Sequence, residues 1–139
     1  MSLYVIDACF AIKWILPEEG SEKALSVLDE LHHFFISDLF LIESDSIITK
    51  KVRKRELDVS AAPALRKKVR KFPYIPIPYN DISKFAFELS STMFISHYDA
   101  CYLAVAIEHD SILYTADIRM YNGLQSTPFG DYVKSIEKL

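Results

Sequence analysis

The chain has 139 residues, half of them hydrophobic and a quarter charged, with a formal net charge of −3. That length suits one domain, residues 1–139, with room for a real hydrophobic core. Three glycines are too few for a glycine-rich phosphate loop, no stretch approaches the roughly 20 unbroken apolar residues of a membrane helix, and Cys9 and Cys101 form neither a CxxC pair nor a zinc spacing.

In chain order, residues 3–6 are a short apolar run that reads as a buried strand. Asp7 interrupts it, which argues against a signal peptide. With both cysteines read as buried reduced thiols, this points to the cytoplasm. A short helix follows from about residue 10 to 16, where Pro17 discourages continuation. Ser21 can cap a second helix, in which Ala24, Leu25, Leu28 and Leu31 recur at helical spacing. Residues 33–36 read as a second strand. Ser37 or Asp38 can cap a third helix, running to about Arg55, with Leu41, Ile48 and Val52 along one side. A basic helix spans roughly residues 60–71. Pro73, Pro76 and Pro78 bracket an extended piece at 74–77. Asn80 or Asp81 starts a helix with Phe85, Leu89 and Met93 on one face. Ser96-x-x-Asp99 fits a capping box at the head of the most apolar helix. Residues 111–115 read as a strand, 116–122 as a short helix or loop, and 129–139 as a tail that adds an edge strand. Strands alternating with helices predict a layered α/β fold with a mainly parallel sheet, whose sites form beyond the carboxyl ends of the strands.

Four acids stand where the sequence is otherwise apolar: Asp7, Glu43, Asp99 and Asp117. Asp7 and Asp117 fall just past predicted strands, and Asp99 and Glu43 in the early turns of predicted helices, so all four reach the same edge of the sheet. Each has an ordinary use as well. Asp7 can end a strand, Asp99 can complete a capping box and Asp117 can cap a helix. Glu43 has none, because it shares a helical face with Phe40 and Ile47. Asp45 points about 200° further round that helix and is expected to be solvated, and Asp38 is expected to act as a cap. If the four acids converge, the simplest remedy for their repulsion is a hard cation, and oxygen ligands without a His or Cys cluster favour Mg²⁺ or Mn²⁺. One or two such ions ordinarily serve phosphodiester chemistry. His32, His33, His97 and His109 make no zinc pattern, and His97 reads as a local surface or supporting residue.

Charge is unevenly spread. Residues 50–71 carry ten of the sixteen basic residues and two acids, a local charge of +8 against −11 for the remainder. Lys50, Lys51, Arg53, Lys54, Arg55, Arg66, Lys67 and Lys68 are therefore candidate contacts to a nucleic-acid backbone. Trp14 and Tyr79 are candidates for stacking on bases, although core burial is the commoner use of aromatics.

The chain resembles the PIN-domain ribonucleases, and among them the VapC-like toxins of prokaryotic toxin–antitoxin pairs. Residues 5–19, beginning Val5-Ile6-Asp7-Ala8-Cys9, are similar to that family's first motif. Leu39-Phe40-Leu41-Ile42-Glu43 resembles the segment carrying its second acid, Tyr98-Asp99-Ala100-Cys101-Tyr102-Leu103-Ala104 its third motif, and Leu113-Tyr114-Thr115-Ala116-Asp117 its fourth. The resemblance implies a three-layer α/β/α PIN fold, with Asp7, Glu43, Asp99 and Asp117 as a metal-binding catalytic cluster and Thr115 as a supporting hydroxyl. It also implies a homodimer blocked by an antitoxin. Cys9 stands where the family often has Ser, Thr or Asn, and Ser46 where an Asn commonly follows the second acid, so both are candidate supporting residues that depart from the pattern.

The expected activity is Mg²⁺- or Mn²⁺-dependent hydrolysis of RNA. The alternative is a weakly active or inactive PIN-fold module that engages RNA or a basic partner peptide through the same acids. A phosphoacceptor receiver domain fits less well, because the first strand ends in one acid and no lysine follows the strand ending at Thr115.

Overall fold

The computed structural model describes residues 3–30 and 33–139. Leu31 and His32 lie outside the described residues. The elements are β1 (Tyr4–Ile6), α1 (Ala8–Ile15), α2 (Ser21–Glu30), β2 (Phe34–Ser37), α3 (Leu39–Arg53), α4 (Ala62–Val69), β3 (Tyr74–Ile77), α5 (Tyr79–Thr92), α6 (His97–Glu108), β4 (Ile112–Thr115), α7 (Ile118–Gln125) and β5 (Val133–Ser135). The strands lie in the order β3-β2-β1-β4-β5, and every pairing is parallel. The expected edge strand in the tail is β5. Among the described residues, no helix is long and apolar enough to cross a membrane.

Period-two alternation splits the core into two layers. Val5, Phe35 and Leu113 face a cluster built from α5, α6 and α7, including Ile82, Leu103 and Leu124. Ile6, Phe34, Ile36 and Tyr114 face the opposite cluster, with Phe10, Ile12 and Trp14 of α1 and Phe40 and Ile48 of α3. The sheet is thus covered on both faces, which is why its strands read as short continuous apolar runs. Helix α6 is buried at every position from Ala100 to Ala106, as expected of a helix apolar all round. Each of its large side chains contributes about 1.5–3 kcal/mol by leaving water. In the opposite layer Trp14 is buried too: its indole Nε1 donates to Ala24 O at 2.7 Å. Core burial, the commoner use of an aromatic, is what Trp14 does, and it is removed as a candidate for stacking on bases because its hydrogen-bonding edge and its faces are spent inside the protein.

Helices α3 and α4 are joined by a second device. Asp45 is not merely solvated as expected. Its carboxylate receives Arg66 Nε and Nη2, both at 2.9 Å, and Arg70 Nη1 and Nη2 at 3.3 and 3.1 Å. The two guanidinium groups hold its pKa down at about 2, with the Arg66 hydrogen bonds the largest cause. Because the cluster is partly exposed, Asp45→Ala is expected to cost less than about 1 kcal/mol in urea denaturation at low salt. That loss should shrink further at 1 M salt, where screening is strongest.

Candidate active site

Parallel pairing brings the carboxyl ends of β1, β2 and β4 to one edge, and the candidate acids start there. Asp7 follows β1 and caps α1: its Oδ1 accepts from Phe10 N at 2.9 Å and from Cys9 Sγ at 3.1 Å. Its Oδ2 accepts from Thr115 Oγ1 at 2.5 Å, at the end of β4. A carboxylate offers about four acceptor positions, so one on Oδ2 stays uncommitted. Thr115 Oγ1 in turn accepts from Asp117 N at 2.9 Å. Asp117 caps α7 by accepting from Met120 N at 3.1 Å. A single hydroxyl therefore joins the first acid to the backbone of the fourth.

Asp99 lies in the first turn of α6, whose cap Ser96 accepts from Asp99 N at 3.0 Å. Glu43 lies in the second turn of α3. Its Oε1 is buried and makes no hydrogen bond, and the buried Tyr102 hydroxyl near it is also unpaired. Tyr102 lowers the pKa of Glu43 by its proximity, yet the two groups do not complete a bond.

Electrostatics link the four acids in a row. Burial raises Asp7 to about 6, against the pull of its three hydrogen bonds, and the nearby Glu43 adds to the rise. Burial raises Glu43 too, with Asp99 as the neighbouring charge. Burial again raises Asp99, with Asp117 next to it. The Cys101 thiol is pushed up to about 11 by burial and by Glu43. A proton or a cation is favoured wherever several carboxylates are desolvated together.

Spacing qualifies the expectation of a tight cluster. Among the described residues, no three His, Cys, Asp or Glu side chains form a ready-made metal cage. The acids share a region and neighbouring ones sense each other's charge. The donor chemistry nevertheless fits a divalent ion: all four groups are carboxylates, Glu43 Oε1 is buried and unpaired, and Asp7 Oδ2 keeps a free acceptor position.

The supporting residues divide. Thr115 and Cys9 both donate to Asp7, whereas Ser46 is exposed on α3. Asp38 precedes α3 but makes no side-chain bond to that helix; instead its Oδ2 accepts from Tyr79 N at 2.7 Å, at the start of α5. It thus caps a neighbouring helix rather than its own.

The basic segment is partly neutralised from within. Lys51 pairs with Glu18 at 2.9 Å, and Arg66 is taken up by Asp45. Lys50, Arg53, Lys54, Arg55, Lys67 and Lys68 make no ion pair among the described residues. Lys54, just past α3, follows Glu43 by eleven residues, roughly 16 Å along the helix axis, whereas Arg66 and Arg70 return alongside α3 at Asp45, two residues from Glu43. Tyr79 is 41% exposed, and its hydroxyl lies 2.8 Å from His97 Nε2.

The sequence reading missed Tyr102 as a neighbour of Glu43, because it was absorbed into an apolar run. Its position one helical turn after Asp99 was the available signal.

A PIN domain family model matches residues 4–123. None of the curated proteins matches the chain by sequence. Among solved structures, the chain is similar to PAE2754 from Pyrobaculum aerophilum, at 20% identity over 98% of this chain and 85% of that one, with a TM-score of 0.68. A chain of a toxin-antitoxin complex from Klebsiella pneumoniae is 17% identical over 98% and 99%, with a TM-score of 0.64. Mycobacterium tuberculosis VapC20, described as a Sarcin-Ricin loop cleaving toxin, is 14% identical over 90% and 99%, with a TM-score of 0.65.

Proposed function

We propose, from the premise that this chain belongs to the PIN-domain family, that it is a divalent-metal-dependent endoribonuclease and the toxin of a VapBC-type toxin–antitoxin pair. The observation that carries this is Glu43 Oε1, a buried carboxylate oxygen without a partner in a row of mutually repelling acids. Such an atom is expensive unless a cation or water completes it. The descriptions of the Klebsiella complex and of VapC20 support the toxin role.

Asp7, Glu43, Asp99 and Asp117 would hold one or two Mg²⁺ or Mn²⁺ ions. A bound ion of this kind supplies an acidified water and stabilises charge on the phosphodiester. The protein's own part is orientation. Thr115 and Cys9 hold the Asp7 carboxylate in place, and the Thr115–Asp117 N bond keeps the fourth acid beside β4. The lysines and arginines of residues 50–71 that make no ion pair among the described residues would hold RNA backbone. Exposed Ile42, Phe87 and Phe94 support apolar surfaces covered by an antitoxin or by a second copy in a homodimer.

That no three acidic, His or Cys side chains among the described residues form a ready-made metal group favours one second reading, a PIN-fold module that uses the acids to bind RNA or a basic peptide without cleaving. Incubation with total RNA in Mn²⁺ separates the two. The nuclease should give fragments bearing 5′-phosphate, abolished by excess EDTA. Intact RNA, together with no calorimetric heat from millimolar Mn²⁺, would select the module.

A further inference from the structure

Glu43 rides on α3 and Asp99 on α6, and the charge of one opposes ionisation of the other. Repulsion between them pushes apart the helix ends that carry them. Apolar packing already joins α5 to α6 along their length, through Ile82, Ala86 and Leu89 against the buried face of α6. Leu39, at the head of α3, packs against the same cluster, and the two acids sit half-exposed at its rim.

At that rim runs a line of hydrogen bonds. Asp38, immediately before α3, accepts from Tyr79 N at 2.7 Å. Tyr79, the first residue of α5, places its hydroxyl 2.8 Å from His97 Nε2, with the two rings edge-on at 5.9 Å. His97, the first residue of α6, has Nδ1 3.0 Å from Ser90 Oγ, and Ser90 Oγ donates to Ala86 O at 2.9 Å. Ser90 Oγ has one proton and lies within reach of two carbonyl oxygens, Ala86 O at 2.9 Å and Phe87 O at 3.3 Å; where that proton goes to either carbonyl, Ser90 accepts from His97. His97 Nδ1–H is then the donor, Nε2 is left as an acceptor, and Tyr79 O–H donates to it.

We infer that Tyr79 and His97 are positioning residues that tie the Asp99 end of α6 to the Asp38 end of α3, holding Glu43 and Asp99 within common reach against their repulsion. The inference rests on the proposed function for what the paired acids do, but the tie itself can be measured without metal.

The test uses the full chain and the variants Tyr79→Phe, His97→Ala and His97→Gln. In EDTA, Tyr79→Phe and His97→Ala should lower the urea midpoint, and the loss should at least halve when Asp99→Asn has removed the repelling charge. By calorimetry, both variants should bind Mn²⁺ about ten-fold more weakly than wild type. His97→Gln, whose amide oxygen can accept from Tyr79, should recover most of that affinity. A merely structural bond would give additive losses in the cycle and unchanged Mn²⁺ affinity, and either result overturns the inference. His97→Gln as weak as His97→Ala overturns the acceptor role assigned to Nε2. If His97→Ala fails to fold, Tyr79→Phe, which deletes one oxygen, carries the test. Wild-type protein that binds no Mn²⁺ would sink the metal-dependent reading instead, and the EDTA cycle alone would then decide whether the tie exists.

Discussion

Asp7→Asn should reduce RNA cleavage by more than about 100-fold, beyond the loss usual for a residue that only supports a metal ligand, while the protein stays folded. The geometry explains why the two effects separate. The amide oxygen can keep the Oδ1 role, accepting from Phe10 N and Cys9 Sγ, so the cap of α1 survives. The amide nitrogen then replaces Oδ2 and faces Thr115 Oγ1, which already accepts from Asp117 N. The threonine proton loses its acceptor, at a cost of about 1–2 kcal/mol. Against that, the substitution removes a buried negative charge whose ionisation burial opposes. At neutral pH without metal the variant should therefore be at least as stable as wild type, while a charged ligand disappears. Circular dichroism melts beside a cleavage assay in Mn²⁺ check both halves. Cleavage by the variant at the wild-type rate would remove Asp7 from the chemistry. Asp45→Asn is the matched control: it deletes an acid from the same chain that is engaged with Arg66 and Arg70, and cleavage should persist.

Element order was legible because each signal was local and strong. The apolar runs before Asp7 and Asp117, Pro17 after α1, and Ser96 before α6 all mark boundaries by backbone chemistry that tertiary structure had no reason to override. The same signals put Asp7, Asp99 and Asp117 at one edge, since a parallel sheet sends every strand's carboxyl end the same way. What the sequence could not show was pairing across the fold. Asp45 looked solvated because its partners lie 21 and 25 residues away. Trp14 was expected in the core, but nothing local reveals that its nitrogen meets Ala24 O. Asp38 looked like a cap for α3, and the helix it serves instead begins at Tyr79. The spacing of the acids belongs to the same class. Hydropathy and motif order bring them to one edge, but whether their oxygens share a ligand position is set by side-chain geometry.

In EDTA, the protein should be more stable at pH 5 than at pH 7, the reverse of ordinary acid denaturation. Unfolded, Asp7 ionises near its usual 3.8; folded, near 6. Between those values the native state keeps a proton that the unfolded chain has released, so stability falls as pH rises through the window. The contribution is fully present below about pH 4 and lost above about 6. At 1.36 kcal/mol per pH unit it amounts to about 3 kcal/mol. Glu43 and Asp99 are raised as well and act with the same sign. Asp45 acts oppositely: its pKa is held at about 2, so its stabilisation is present above its usual 3.8 and disappears only as pH falls toward 2. A stability maximum on the acidic side of neutrality follows. Urea denaturation from pH 4 to 7.5 in EDTA reads it directly, and Asp7→Asn should flatten most of the slope. Adding Mn²⁺ at a hundred times its dissociation constant should restore about 2.7 kcal/mol at pH 7. It should restore much less at pH 5, where protons compete for the same oxygens. Wild-type stability that climbs from pH 5 to 7 in EDTA would mean that the buried carboxylates are paired in a way that makes a cation unnecessary.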